Sequence, residues 1–160
     1  MYKTRNDLSA NIREQSIALL QKRLSDAVDL FTQIKQAHWN VKGPNFIALH
    51  ELFDAIAQIV EDQSDLLAER ITALGGRADG TARVAAKQSA LVEFPLDIST
   101  GTAYVTAVAD RLGTYGASAR AAIDGSAQFG DADTADIFTE ISREIDKQLW
   151  FIEAHLQSDK

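Results

Sequence analysis

Two histidines and three acidic residues of this 160-residue chain are spaced in a way that suits metal binding. His50 and Asp54 are four residues apart, and so are Asp65 and Glu69. On a helix, which turns by about 100° per residue, the last three lie about 40°, 60° and 100° around the axis from His50. Imidazole and carboxylate groups bind transition metals such as iron and zinc. The pattern predicts one helix with four possible metal ligands along a stripe, with His38 at the end of the preceding helix.

A single straight helix cannot bring all four of these side chains to one metal. Asp54 and Asp65 would be separated by about 16 Å along the axis, whereas carboxylates bind metals at about 2.0–2.2 Å. Residues 50 and 69 have the same midpoint, 59.5, as residues 54 and 65. If the helix packs antiparallel against its own copy about a two-fold axis at that point, each pair meets across the axis. The spacing therefore predicts two identical sites, each shared between two chains.

Two other interpretations of the same residues stay open. Acidic residues and a histidine on one stripe of a helix are also typical of a solvated surface. A conventional four-helix carboxylate site would need Glu-x-x-His motifs that project into a single bundle, and the sequence contains none.

The elements that must position these residues are helices, because apolar residues recur at helical spacing and no strand-type alternation is sustained. The two prolines, Pro44 and Pro95, lie at breaks in the pattern. We predict four long helices, over about Ser9 to Gln36, about Asn45 to Gly75-Gly76, about Ser99-Thr100 to Gly125, and from Asp131–Asp133 towards the C-terminus. The long connection over residues 77–98 indicates an all-α, ferritin-like four-helix bundle with one long crossover, since short links join antiparallel neighbours.

Composition narrows the class of protein. Apolar residues make up 46% and charged residues 24%, which predicts one folded domain over residues 1–160. The formal charge of −7 argues against binding nucleic acid through overall charge. Without cysteine there is no disulfide or thiolate metal site, and no apolar run is long enough for a membrane span. A cytoplasmic protein is the expectation, because the first residues lack the apolar stretch of a signal peptide.

Several blocks of the sequence resemble the signature of the Dps family, the mini-ferritins named as DNA-binding proteins from starved cells. The first and most specific block reads HWNVKGPNF at residues 38–46 and continues through His50 and Asp54. Further blocks that resemble the family are residues 65–70, 74–76, 94–98, 133–137 and 146–153. The resemblance covers nearly the whole chain.

The resemblance implies a hollow dodecamer of four-helix bundles, with a ferroxidase centre at the dimer interface. Carried over by position, the ligands from one subunit are His38, His50 and Asp54, and those from its two-fold neighbour are Asp65 and Glu69. Trp39 would lie close to the iron in a supporting role, although core packing is its alternative. The implied reaction is oxidation of Fe(II), preferentially by hydrogen peroxide rather than dioxygen, followed by deposition of ferric mineral. Two irons could share each site, and zinc could substitute for iron.

Acidic residues also accumulate towards the C-terminus, where residues 124–160 contain nine acids and three bases. Members of the family have acidic three-fold pores near the start of the last helix. Asp131, Asp136 and Glu140 are the candidates to line such a pore, because rings of acids concentrate cations. A solvated acidic helix face is the alternative.

Strong DNA binding is not expected. Members of the family that condense DNA carry a lysine-rich extension, whereas Lys3 and Arg5 are the only basic residues among the first ten here, and residues 157–160 are not basic overall. Affinity for DNA depends chiefly on neutralised phosphates, so we predict weak, salt-sensitive binding or none. Two alternatives to iron oxidation remain at this stage: a nucleoid protein that protects DNA physically, and a structural cage whose site holds zinc or nothing.

Overall fold

Five α-helices account for the regular secondary structure of residues 1–157, which are the residues that this computed structural model describes. Their bounds are α1 Ala10–Asn40, α2 Phe46–Ala73, α3 Ala82–Gln88, α4 Gly101–Phe129 and α5 Ala132–Ala154. No strand occurs within this range, and none of its helices is both long and apolar enough to cross a membrane. The C-terminal tail was predicted not to support strong DNA binding, and its residues 158–160 lie outside the described range.

Two of the long helices extend further than expected. Helix α1 begins after Ser9, whose Oγ accepts a hydrogen bond from the Ile12 N–H at 3.3 Å, and runs four residues beyond Gln36. His38 therefore lies inside the last turn of α1. Helix α4 passes through Gly125 and stops only at Gly130, where φ of +86° places the backbone in the left-handed conformation that glycine adopts without a Cβ penalty.

The long helices form two hairpins. Helices α1 and α2 are joined by the short loop 41–45 and pack along each other. Helices α4 and α5 are joined by two residues and also pack along each other. Helix α1 also packs against α4, and α2 against α5, so that the hairpins enclose one apolar core. The largest fully buried side chains include Phe53, Tyr115 and Phe138. The all-α architecture with one long crossover between the hairpins is confirmed.

The crossover contains a short helix, α3, that the sequence pattern did not predict. Its seven residues bury only Ala85, so they carry no apolar stripe. The preceding loop is anchored to α1 by Gln21, whose side chain donates to the Asp79 carbonyl at 2.8 Å and accepts from the Asp79 N–H at 2.9 Å. After α3, the Ala90 N–H donates to Asp26 Oδ1 at 2.8 Å. Tertiary contacts with α1 therefore hold the crossover in place.

Candidate metal centre

His38 and His50 face each other where α1 ends and α2 begins. Their rings are stacked, with centroids 3.8 Å apart and planes inclined by 21°. The His38 Nδ1–H donates to the His50 carbonyl at 2.8 Å, and the His50 Nδ1–H donates to the His38 carbonyl at 2.9 Å. The His38 carbonyl is one of the last four of α1, which lack partners within the helix. His50 thus caps α1 as well as contributing a ring to the site.

These reciprocal hydrogen bonds leave the second nitrogen of each ring for a ligand. A carbonyl oxygen can only accept, so both Nδ1 atoms carry a proton, and in the neutral ring Nε2 then holds the free lone pair. A histidine that binds a metal usually donates its other N–H to a carbonyl or carboxylate, which sets the tautomer and the ring orientation. Both imidazoles are therefore arranged as Nε2 ligands before any metal binds.

Asp54 completes the group that one chain brings together. Its Oδ1 lies 3.9 Å from His38 Nε2, and its side chain is 56% exposed. The same oxygen accepts a hydrogen bond from the Lys35 ammonium at 2.5 Å. This hydrogen bond lowers the pKa of the Asp54 carboxyl, so the group is a carboxylate available to a cation.

Asp65 and Glu69 lie elsewhere on α2. The helix is continuous from Phe46 to Ala73, so Asp65 remains about 16 Å along the axis from Asp54. Both side chains are exposed to solvent in the single chain. No group of three or more potential ligands in the described part of the chain could enclose a metal by itself. The predicted ligands therefore form two separate sets in one chain.

Trp39 lies next to this centre and is not a core residue. Its side chain is 67% exposed, so the alternative of core packing is wrong for the single chain. The Lys35 ammonium lies 5.9 Å from the centroid of its ring. The exposed indole and the Asp54 carboxylate thus both lie near the Lys35 ammonium.

Over residues 1–157, the interior of the bundle offers no competing carboxylate site. Among the described residues the buried acids are Asp26 and Asp131. Each is paired with an arginine, Asp26 with Arg23 at 2.8 Å and Asp131 with Arg70 at 2.6 Å. Because both buried carboxylates are neutralised by arginine, the conventional four-helix metal site that the sequence left open does not form here.

Asp131 cannot line a pore, and that expectation is corrected. It is only 1% exposed and caps α5, accepting from the Thr134 N–H at 3.1 Å and the Thr134 hydroxyl at 2.6 Å. Burial raises the pKa of Asp131, but the hydrogen bonds from Thr134 and the charge of Arg70 outweigh it and bring the pKa below the ordinary value. The other two candidates, Asp136 and Glu140, are exposed on α5.

Sequence reasoning missed two residues that act at these positions. Lys35 lies three residues before His38 on α1. This spacing places both side chains on one helix face, so the sequence did contain a signal that Lys35 lies near the centre. Arg70 follows Glu69 and ties the end of α2 to the start of α5, because its Nε also donates to Thr134 Oγ1 at 3.0 Å. The partners of Arg70 lie more than 60 positions further along the chain, so no local sequence pattern could have identified them.

Comparison with known proteins identifies the family. Residues 17–160 match the model of the ferritin-like domain. The DNA protection during starvation protein of Agrobacterium fabrum is 43% identical over 156 residues, which cover 98% of this chain and 96% of that protein. The chain belongs to the Dps family of ferritin-like proteins. A second Dps, the DNA protection during starvation protein of Mycolicibacterium smegmatis, is 34% identical over 140 residues. The match covers 88% of this chain and 76% of that protein.

The fold agrees with this assignment. The solved structure of Mycobacterium smegmatis Dps superposes with a TM-score of 0.93 at 32% identity, and covers 99% of this chain and 90% of that one. The Dps resemblance read from residues 38–54 is therefore confirmed over nearly the full length. Membership in the ferritin-like family implies iron binding in general.

Proposed function

We propose that the chain is a ferroxidase and an iron store. The observation that carries this proposal is the pair His38 and His50, held by reciprocal hydrogen bonds with both Nε2 atoms free, beside the Asp54 carboxylate. Mixed imidazole and carboxylate ligands suit ferrous iron and leave positions open for water and oxidant. The iron is the substrate of the reaction.

A shared site explains why one chain presents two incomplete sets of ligands. Antiparallel packing of α2 on its copy would bring Asp65 and Glu69 of one chain to His38, His50 and Asp54 of the other, since the two pairs on α2 have one midpoint. A two-fold contact makes this arrangement twice. We further propose that such dimers build a hollow dodecamer, as the family resemblance implies. Asp136 and Glu140 on α5 are the remaining candidates for an acidic entry pore.

The proposed chemistry needs no other group from the chain. Two Fe(II) ions each give one electron to a peroxide molecule, whose O–O bond breaks, and its oxygens leave as hydroxide or water. Two metals about 3.5–4 Å apart are suited to such a paired step. Pairing the electrons avoids release of a hydroxyl radical, and the Fe(III) is then deposited as mineral inside the shell. Dioxygen is the alternative oxidant.

A complementation experiment tests the shared site. Two variants, His50→Ala and Glu69→Ala, are each assembled alone and then unfolded, mixed in equal amounts and reassembled. Oxidation is followed by ferric absorbance after anaerobic addition of Fe(II) and then peroxide. Random pairing makes half of the dimers mixed, and each mixed dimer regains one intact site of two, so about one quarter of the wild-type rate should return. If each site lay within one chain, mixing would restore nothing.

A zinc-holding or inert cage is a second outcome of the same experiment. Zinc competes well for imidazole and carboxylate, so an inert cage would bind zinc at this centre yet oxidise iron no faster than buffer. The relatives are bacterial proteins, and we propose that the chain acts in the bacterial cytoplasm, where removal of Fe(II) and peroxide protects the cell and its DNA.

Physical protection of DNA is a second candidate function, which the names of the relatives favour. The formal charge of −7 opposes it, because DNA affinity depends chiefly on neutralised phosphates. We therefore propose iron oxidation as the main activity and weak DNA binding at most.

A further inference from the structure

One face of α2 carries a stripe whose spacing is the same in both directions. Its members follow one another at intervals of four, four, three, four and four positions: His50, Asp54, Gln58, Glu61, Asp65 and Glu69. Because a helix turns by about 100° per residue, all of them lie within about 100° of one another around the axis. The two central residues, Gln58 and Glu61, are exposed, and each lies about 2 Å along the axis from the midpoint of the stripe.

This face of α2 has no lysine or arginine to balance its carboxylates. Residues 43–69 contain six acids and neither of the two strongly basic residue types. When α2 packs antiparallel against its copy, two acidic faces are brought together, and the residues nearest the axis meet their counterparts at the shortest distance. The side chains at the centre of the stripe therefore have the greatest effect on whether the two faces can pair.

Gln58 places a neutral hydrogen-bond donor among these carboxylates. Its Nε2 donates to Glu61 Oε2 at 3.2 Å and to Asp62 Oδ1 at 3.0 Å in the same chain. The amide has two N–H groups and a carboxylate accepts several hydrogen bonds, so this exposed side chain can donate one N–H to another chain. Residues 58 and 61 have the midpoint 59.5, as the ligand pairs do. Antiparallel packing thus places Gln58 of each chain beside Glu61 of the other.

We propose that Gln58 and Glu61 form the central contact through which two copies of this chain pair their α2 faces. Each Gln58 amide donates to the Glu61 carboxylate of the other chain, so that two amides separate two carboxylates at the axis. Gln58 is then a positioning residue, since this contact fixes the register in which the two sets of ligands meet. The inference rests on the proposed function, because it requires a site shared across this axis.

The first test adds charge changes to the mixture of His50→Ala and Glu69→Ala chains. Gln58→Glu is placed in the first chain and Glu61→Gln in the second. Pairs of the first chain then have four carboxylates at the axis, whereas a mixed dimer keeps an amide opposite each carboxylate. Mixed dimers should therefore exceed one half of the population, and the recovered rate of Fe(II) oxidation should rise from about one quarter of wild type towards one half.

The matched control places both charge changes in the first chain and predicts the opposite result. Pairs of that chain keep an amide opposite each carboxylate, whereas a mixed dimer has two carboxylates opposite each other. The recovered rate should then fall below one quarter. A rate of one quarter in both mixtures would overturn the role of Gln58 and Glu61 while the shared site stands. If the mixture without charge changes recovers nothing, the shared site itself fails, and this inference fails with it.

The second test uses no iron and follows association by analytical ultracentrifugation. At low salt, Gln58→Glu should dissociate at about tenfold higher protein concentration than wild type, and the difference should shrink as salt screens the new like charges. Adding Glu61→Gln to the same chain should restore association. Gln15→Glu adds the same charge at an exposed position of α1 and is the control. Equal dissociation of Gln58→Glu and wild type would overturn the proposal.

Discussion

His38 and His50 cap each other's backbone: each ring donates through Nδ1 to the carbonyl of the other residue, at 2.8 and 2.9 Å. The same pair of bonds joins the end of α1 to the start of α2 and orients both Nε2 atoms. The candidate centre is therefore part of the hairpin that carries it, and the proposed metal binding would depend on the same two side chains as local stability.

His50→Ala should lower the free energy of unfolding even in the absence of metal. The substitution leaves the His38 carbonyl without its partner and removes the stacked ring, and we expect a loss of about 1–2 kcal/mol. Urea unfolding with a chelator present measures the effect. His155→Ala, at the exposed C-terminal cap of α5, is the matched control and should change stability little. Equal stabilities for both variants would show that the reciprocal bonds contribute nothing.

Replacing both Asp65 and Glu69 by alanine should remove rapid Fe(II) oxidation and leave the assembly intact, because both residues are exposed in the single chain. The initial rate of ferric absorbance and the size of the assembly are measured together. The control replaces Glu14 and Asp124, two exposed acids of α1 and α4. A double variant that oxidises iron as fast as wild type would refute the ligand assignment.

Asp131→Asn should destabilise the fold at neutral pH and make it less sensitive to acid. The pKa of Asp131 lies below its ordinary value of 3.8, so its charged form stabilises the native state above that pH and the contribution is lost as pH falls through the folded pKa. We expect a loss of about 1–3 kcal/mol at pH 7, since an arginine pair is broken but the amide can still cap the helix.

The measurement for Asp131 is the free energy of unfolding at a series of pH values. The difference between wild type and Asp131→Asn should shrink below about pH 4, as wild type also loses the charge. Asp136→Asn, exposed on the same helix, should follow wild type throughout. A difference that stays constant down to pH 2 would show that the carboxylate charge is not responsible.

Neutralising the pore candidates should slow iron uptake without changing the centre. The variant Asp136→Asn with Glu140→Gln is expected to mineralise iron several-fold more slowly at low Fe(II) and low salt, because acidic rings concentrate cations and salt screens them. Asp124→Asn, an exposed acid of α4, is the control. Uptake at the wild-type rate at every salt concentration would favour the interpretation as a solvated acidic face.

DNA binding should be weak and should disappear as salt increases. We expect no shift of supercoiled plasmid at physiological ionic strength, since 23 acidic residues outnumber the 16 basic residues that could neutralise phosphates. Electrophoresis over a range of salt concentrations checks this. A shift that persists at physiological salt would favour physical DNA protection.

Much of the fold could be predicted because apolar residues recur at helical spacing along the long helices. The four long helices and the crossover follow from apolar residues at helical spacing, and the spacing of His50, Asp54, Asp65 and Glu69 shows that one straight helix cannot bring all four side chains together. Local patterns could not show α3, because it buries one alanine and depends on contacts with α1. Local patterns also could not show that α4 continues through Gly125 and ends at Gly130.

Residue types and spacing along α2 were enough to predict two pairs of candidate ligands that would meet only with a second copy of the chain, because a helix converts sequence separation into angle and distance. Only the tertiary structure determined which carboxylates are available to bind a cation. Asp131 has the same chemistry as Asp136, yet Arg70, 61 positions earlier, buries and neutralises it. Lys35 likewise reaches Asp54 only because α1 and α2 pack together, since the charge that a carboxylate meets depends on its spatial neighbours.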